Sequence, residues 1–140
     1  MPKQPISPMD DTAKFLSGFG RRVLVVDDFR GNADSMKLVL DAMGYEVRVA
    51  YGGQEALESA SEVKPDVILL DIDMPDLNGY EVAAFIRKQR WGEGMLLIAI
   101  TGLGQEIDKH RSREAGIDHH LVKPLALDDL MAILDNLPPR

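Results

Sequence analysis

At 140 residues the chain has the length of a single domain, enough to bury roughly two-thirds of the surface its unfolded form would expose. A content of 45% hydrophobic and 28% charged residues is that of an ordinary globular fold and sets aside disordered and fibrous classes. With 23 acidic against 16 basic residues the net charge is −7, which repels phosphate backbones and anionic lipid and argues against direct nucleic-acid binding. The absence of cysteine removes disulfides, thiolate zinc sites and cysteine nucleophiles, and fits a reducing, cytoplasmic setting.

Residues 1–20 carry Pro2, Pro5, Pro8, Gly18 and Gly20 and no apolar run longer than Phe15-Leu16, so they read as a flexible tail or linker without a signal-peptide core. A folded domain is expected over 21–140. Its first strand is predicted at 23–26, followed by a helix whose apolar face is Ala33, Met36, Leu40 and Met43 and which stops at Gly44. A second strand at 47–50 precedes a helix carrying Ala56, Leu57 and Ala60, ended by Lys64-Pro65. The third strand, 67–70, leads to a helix with Val82, Ala83 and Ile86, and Trp91 reads as a loop aromatic covering a sheet edge. The fourth strand is placed at 96–100, within the longest uninterrupted apolar run, 95–100, which is far below the ~18 residues a membrane-spanning helix requires. The fourth helix, 105–115, offers only Ile107 and Ala115 as apolar contacts, so looser packing is expected before Gly116 ends it. A fifth strand at 121–122 and a helix with Leu127, Leu130, Met131 and Leu134 complete the pattern, and the chain ends at Leu137-Pro138-Pro139-Arg140.

Short apolar strands alternating with amphipathic helices define a doubly wound α/β fold with a five-stranded parallel sheet and five helices, flavodoxin-like. The strand order 2-1-3-4-5 is taken by analogy with known folds of that size. Ligands in such sheets bind beyond the carboxyl ends of the strands, which makes the polar residues there the candidate site. Those residues are Asp27-Asp28, Asp71, Thr101 and Lys123-Pro124. At ~5 Å and an effective dielectric of about 20, each pair of ionised acids costs roughly 3 kcal/mol, so positive charge must sit among them. Lys123 supplies one such charge, and a hard divalent cation, Mg²⁺ with Mn²⁺ as the alternative, supplies the rest. Carboxylate, metal, lysine and hydroxyl together suit phosphoryl transfer, with Asp71 the candidate nucleophile.

The residues Asp27-Asp28, the run Asp71-Ile72-Asp73-Met74-Pro75-Asp76-Leu77-Asn78-Gly79, Thr101-Gly102 and Lys123-Pro124 closely resemble the response-regulator receiver domain of two-component signalling, over about Arg22 to Leu137. The resemblance implies that Asp71 accepts a phosphoryl group from a histidine kinase or phosphotransfer protein. It also implies Mg²⁺ on Asp28, Asp71 and the Asp73 backbone carbonyl, with Asp27 acting mainly through a metal-bound water. Thr101 would bind a phosphoryl oxygen, Lys123 would pair with the phosphoryl group, and the Lys123–Pro124 bond would be cis. The fourth helix, fifth strand and fifth helix would form the face read by a downstream protein, with no step into a membrane. Such a domain is a signalling phosphoacceptor that assists only its own phosphorylation and dephosphorylation.

Three positions depart from the usual pattern. His120 stands where many relatives carry Phe or Tyr, placing a smaller, titratable ring at the switch position. Gly102 leaves more room beside the phosphoryl group than alanine would, and Asp73 adds an acid two residues past the nucleophile. Other readings of the same motifs are weaker. His110, His119 and His120 lack a carboxylate or cysteine at ligand spacing. In Gly102-Leu103-Gly104 a dinucleotide fingerprint fails because Ile107 fills the third glycine position, and in 71–79 a calcium loop fails at Pro75 and Asp76. Two alternatives in function stay open: a haloacid-dehalogenase-type phosphatase, suggested by Asp71-Ile72-Asp73, and a receiver-like adaptor that works without phosphorylation. With the chain ending just past its last helix, the output is expected in another molecule or in residues outside this sequence.

Overall fold

The computed structural model describes residues 20–102 and 108–137. The expected tail, apart from Gly20, lies outside the described residues, as do 103–107 and 138–140. Five strands form one sheet: β1 (Arg22–Val26), β2 (Glu46–Ala50), β3 (Val67–Asp71), β4 (Leu96–Thr101) and β5 (His119–Val122). All adjacent pairs are parallel and their order is 2-1-3-4-5, as the sequence led one to expect. The helices among the described residues are α1 (Arg30–Ala42), α2 (Gly53–Val63), α3 (Gly79–Lys88), α4 (Lys109–Ala115) and α5 (Leu127–Leu134), and a 3₁₀ turn spans Arg90–Gly92.

The alternation of strand side chains sends two sets of apolar residues to opposite faces. Leu24, Val26, Ile68, Leu70, Leu97 and Ala99 pack under α2, α3 and α4 through Ala56, Ala60, Val82, Ala83, Ile86 and Ala115. Val23, Val25, Val67, Leu69 and Ile98 pack under α1 and α5 through Ala33, Leu40, Leu130 and Leu134. Trp91, on the 3₁₀ turn, is half-buried against the first of these clusters.

Punctuation follows the chemistry of the stop residues. Gly116, at φ 81°, closes α4 in the left-handed conformation that favours glycine. Lys64 ends α2 at φ 50°, a positive φ forced on a residue with a side chain and followed at once by Pro65. The structure differs from the sequence reading at the sheet edge and in α5. β5 begins at His119 rather than at 121, because an edge strand paired only to β4 tolerates residues without strand propensity. Leu127, counted with the buried face of α5, is exposed, and Leu130 and Leu134 anchor that helix instead.

Candidate functional site

Ladder hydrogen bonds carry on past the strand ends and hold the site residues. Asp27 N–H donates to the Ala50 carbonyl at 3.1 Å, Ile72 N–H to Ile100 at 3.1 Å, and Lys123 N–H to Thr101 at 2.7 Å. Five side chains from four strands therefore meet at the carboxyl edge of the sheet. Carboxylate oxygens of Asp27, Asp28 and Asp71 all lie within 4.8 Å of one another. The Lys123 ammonium lies 3.4 Å from Asp27 Oδ2 and 3.5 Å from Asp71 Oδ2, bridging the two buried acids. Asp28 is exposed at the rim, while Asp27 is fixed by accepting the Phe29 N–H on Oδ1 at 2.9 Å.

Asp71 is the deepest acid, 4% exposed. Burial pushes its carboxyl up to about 6, against the pull of the neighbouring Lys123 ammonium and with the push of the Asp27 carboxylate. Its Oδ1 accepts the Asp73 N–H at 3.3 Å, so the chain turns over the carboxylate immediately after the strand. Asp73 itself is exposed, and its side chain stays outside the carboxylate cluster. Thr101 is buried to 1% exposure and its hydroxyl has no hydrogen-bond partner among the described residues. A buried hydroxyl left unpaired costs roughly 1–3 kcal/mol, so this one has capacity for a further hydrogen bond. The Lys123–Pro124 peptide is cis.

Two residues that periodicity passed over shape the surroundings. Ser112, on α4, is 2% exposed, and its Oγ lies 2.6 Å from His120 Nε2, tying α4 to β5. In the parallel register His120 pairs with Ala99 and Val122 with Thr101, so Thr101 and His120 share one face of the sheet. Asp76, in the loop after β3, accepts backbone N–H groups of α2, a contact between residues 22 and 23 positions apart. Beside the acids, a groove of about 650 Å³ lies between α1 and the β5–α5 connection, lined by Asp27 and Lys123 together with Met36, Val39, Ile100 and Leu125.

The donor set is all oxygen, and three carboxylates against one ammonium leave two negative charges when all are ionised, which fits a hard divalent cation. Comparison with known proteins agrees with this geometry. Residues 23–135 match the model of the response regulator receiver domain. The chain belongs to that family, a domain of two-component systems that generally signals rather than catalyses. It is 37% identical over 111 residues to the response regulator MprA of Mycobacterium ulcerans (strain Agy99), covering 79% of this chain and 47% of that protein. The chain thus spans about half the length of that curated relative. The receiver domain of sensor histidine kinase PA1611 from Pseudomonas aeruginosa PAO1, which has magnesium coordinated in its active-site cleft, superposes with a TM-score of 0.76 at 31% identity, over 84% of this chain and 97% of that one. Chemotaxis protein CheY4 of Vibrio cholerae gives 0.77 at 28% identity, over 84% and 98%. Among the described residues no helix is long and apolar enough to cross a membrane.

Proposed function

We propose that the chain is a phosphoacceptor: Asp71 takes a phosphoryl group from a phosphohistidine, with a divalent cation held by Asp28, Asp71 and the Asp73 carbonyl. The single observation that carries this reading is the buried Asp71 carboxylate set between two acids and an ammonium, with an unpaired hydroxyl on the neighbouring strand. An Asp71 oxygen forms the new O–P bond as the P–N bond of the donor breaks, and the electron pair returns to the imidazole nitrogen. The cation supplies charge neutralisation on the phosphoryl oxygens. Lys123, already 3.5 Å from Asp71, exchanges its carboxylate partner for the phosphoryl group, and Thr101 donates to a phosphoryl oxygen. Asp27, held by the Phe29 N–H, would help to hold the cation mainly through an intervening water.

The donor is a histidine kinase or a phosphotransfer protein. The largely apolar groove lined in part by Asp27 and Lys123 offers footing for a protein that must bring a histidine to Asp71. Displacement of Thr101 would be read through His120 and α4, and the α4–β5–α5 face, where Val122 and Leu127 are exposed, would bind the downstream protein. Presence of every acid, the lysine and the hydroxyl supports phosphorylation over a phosphorylation-independent adaptor, and clustered acids directly after β1 rather than downstream of Asp71 support a receiver over a phosphatase.

Incubation with an acyl-phosphate donor and Mg²⁺ tests the assignment by intact mass. One phosphoryl group is expected on the wild type and none on Asp71→Asn. Uptake at an unchanged rate by the variant would place the acceptor elsewhere, and steady turnover of a generic phosphate ester would favour the phosphatase.

A further inference from the structure

The loop from Asp71 to α3 is anchored in two halves. Ile72 and Met74 are buried, and Gly79 N–H closes back on the Ile72 carbonyl at 2.9 Å. Between them Pro75 and Asp76 stand exposed, with Leu77 and Asn78 half-buried. That outer half is tied to α2. The helix starts after Gly52, which has no side chain with which to cap its free N–H groups. Asp76 does so from the other loop: Oδ1 accepts the Gly53 N–H at 3.0 Å and Oδ2 the Gln54 N–H at 3.1 Å. These bonds hold the Asp76 carboxyl down at about 2, so it is ionised wherever the site would work. The approach is close enough to require glycine, since a Cβ at Gly53 would lie 2.5 Å from Leu77 Cβ and 2.9 Å from the Leu77 carbonyl oxygen.

We infer that Asp76 is a positioning residue, capping α2 from the loop that follows Asp71 and thereby fixing the loop that carries the Asp73 carbonyl, the backbone ligand of the proposed cation site. The inference rests on the metal site of the proposed function. Mg²⁺ demands near-octahedral geometry, so a ligand on a loosened loop binds it poorly even when every ligand atom is still present. α2 contributes no side chain to the carboxylate cluster, yet through this clamp it becomes part of the frame that sets the site.

Calorimetric titration with Mg²⁺, without any phosphodonor and well below the melting temperature, tests it. Asp76→Ala should weaken binding roughly tenfold, the low end of what loss of an outer partner of a metal ligand costs. Asp76→Asn, which keeps one accepting oxygen but not the charge, should fall between Ala and wild type. A field effect of the charge alone would make Asn and Ala equal, and that equality would overturn the proposal. Gly53→Ala keeps every charge and pushes on Leu77 from the other side, so it too should weaken Mg²⁺. This variant and Asp76→Asn carry the test should Asp76→Ala not fold. In phosphorylation assays the half-saturating Mg²⁺ concentration should rise in these variants while the rate at saturating Mg²⁺ is retained. Affinities within about twofold of wild type in the folded variants would overturn the clamp and leave the metal site standing, given the magnitude expected of such partners. A wild type that binds no Mg²⁺ would overturn the metal site and the clamp together.

Discussion

Burial raises the Asp71 carboxyl to about 6 because little solvent reaches it, and the Lys123 ammonium, with a smaller pull from the Asp73 N–H, restrains the rise. The unfolded chain releases that proton near the ordinary value of 3.8. Between these values the folded state holds more proton than the unfolded one, so this group's contribution to stability falls as pH rises through the window. By linkage the loss is about 3 kcal/mol at neutral pH, an order-of-magnitude figure for a carboxyl that is almost wholly enclosed. Denaturant unfolding in EDTA should therefore show Asp71→Asn more stable than wild type at about pH 7.5, with the advantage fading towards about pH 4. Identical pH slopes in the two proteins would mean that the strained charge is not on Asp71. The strand-end residues Asp27, Asp28, Asp71, Thr101 and Lys123 were legible in the sequence because each follows directly on an apolar strand. Ser112 and Asp76 were not, since their partners lie 8 and 22 to 23 residues away and belong to tertiary packing. A helix opening on Gly52-Gly53 without a capping side chain was the one hint that another loop must supply the cap.

At the level of elements, apolar periodicity undercounted α4. Only Ala115 in its described part is a buried apolar residue, and the looseness expected from that count ignores polar anchors. Asp108 caps the helix through the Arg111 N–H at 3.0 Å, the Arg111 guanidinium lies 4.7 Å from the Tyr80 ring centre, and Arg87 donates to the Gly116 carbonyl at 3.0 Å. The Ser112–His120 bond adds the tie to β5. Residues Gln105 and Ile107 of the expected helix lie outside the described residues. Apolar runs revealed β1, β2, β3 and β4 to within a residue, whereas β5 opens on His119 and His120 and so leaves only half a signal. Ser112→Ala should cost roughly 1–2 kcal/mol, as one hydrogen bond with a half-buried partner does. Amide exchange should quicken across α4 and β5 while α1 and α2 keep their protection. Desolvation holds His120 below its ordinary 6.5, with His119 and Lys109 adding repulsion, so the neutral ring's contribution is complete above that value and is lost as pH falls through the lower folded one. Protection of the α4 amides in wild type, taken relative to the intrinsic exchange rate at each pH, should accordingly fall on acidification, and a uniform loss over all helices would count against a tie specific to this pair.

For the molecule as a whole, the two edges of the sheet divide labour. At the amino edge Arg87 ties α3 to the chain before β4 and β5, donating to the Gly92 and Met95 carbonyls at 2.8 and 2.7 Å and pairing with Asp118 at 2.8 Å. The Arg87 charge is met there by backbone carbonyls and the Asp118 carboxylate. At the carboxyl edge three acids face one ammonium in a protein of net charge −7, so an excess of negative charge stands there among the described residues. A cation that binds only the folded state relieves that excess and stabilises the fold by mass action, by about 2.7 kcal/mol at 100 times its dissociation constant. For a domain of this size that corresponds to a rise of several degrees in melting temperature. Asp28→Asn should abolish most of the rise and give a small gain in the metal-free protein, because it removes one of the crowded charges but from an exposed position at the rim. Asp71→Asn should abolish it while raising the metal-free melting temperature, because there the charge removed is buried. Melts of the three proteins in EDTA, in Mg²⁺ and in NaCl of matched ionic strength separate site binding from screening. A Mg²⁺ shift that survives in both variants, or that NaCl reproduces, would show that the stabilising cation is not held by these acids.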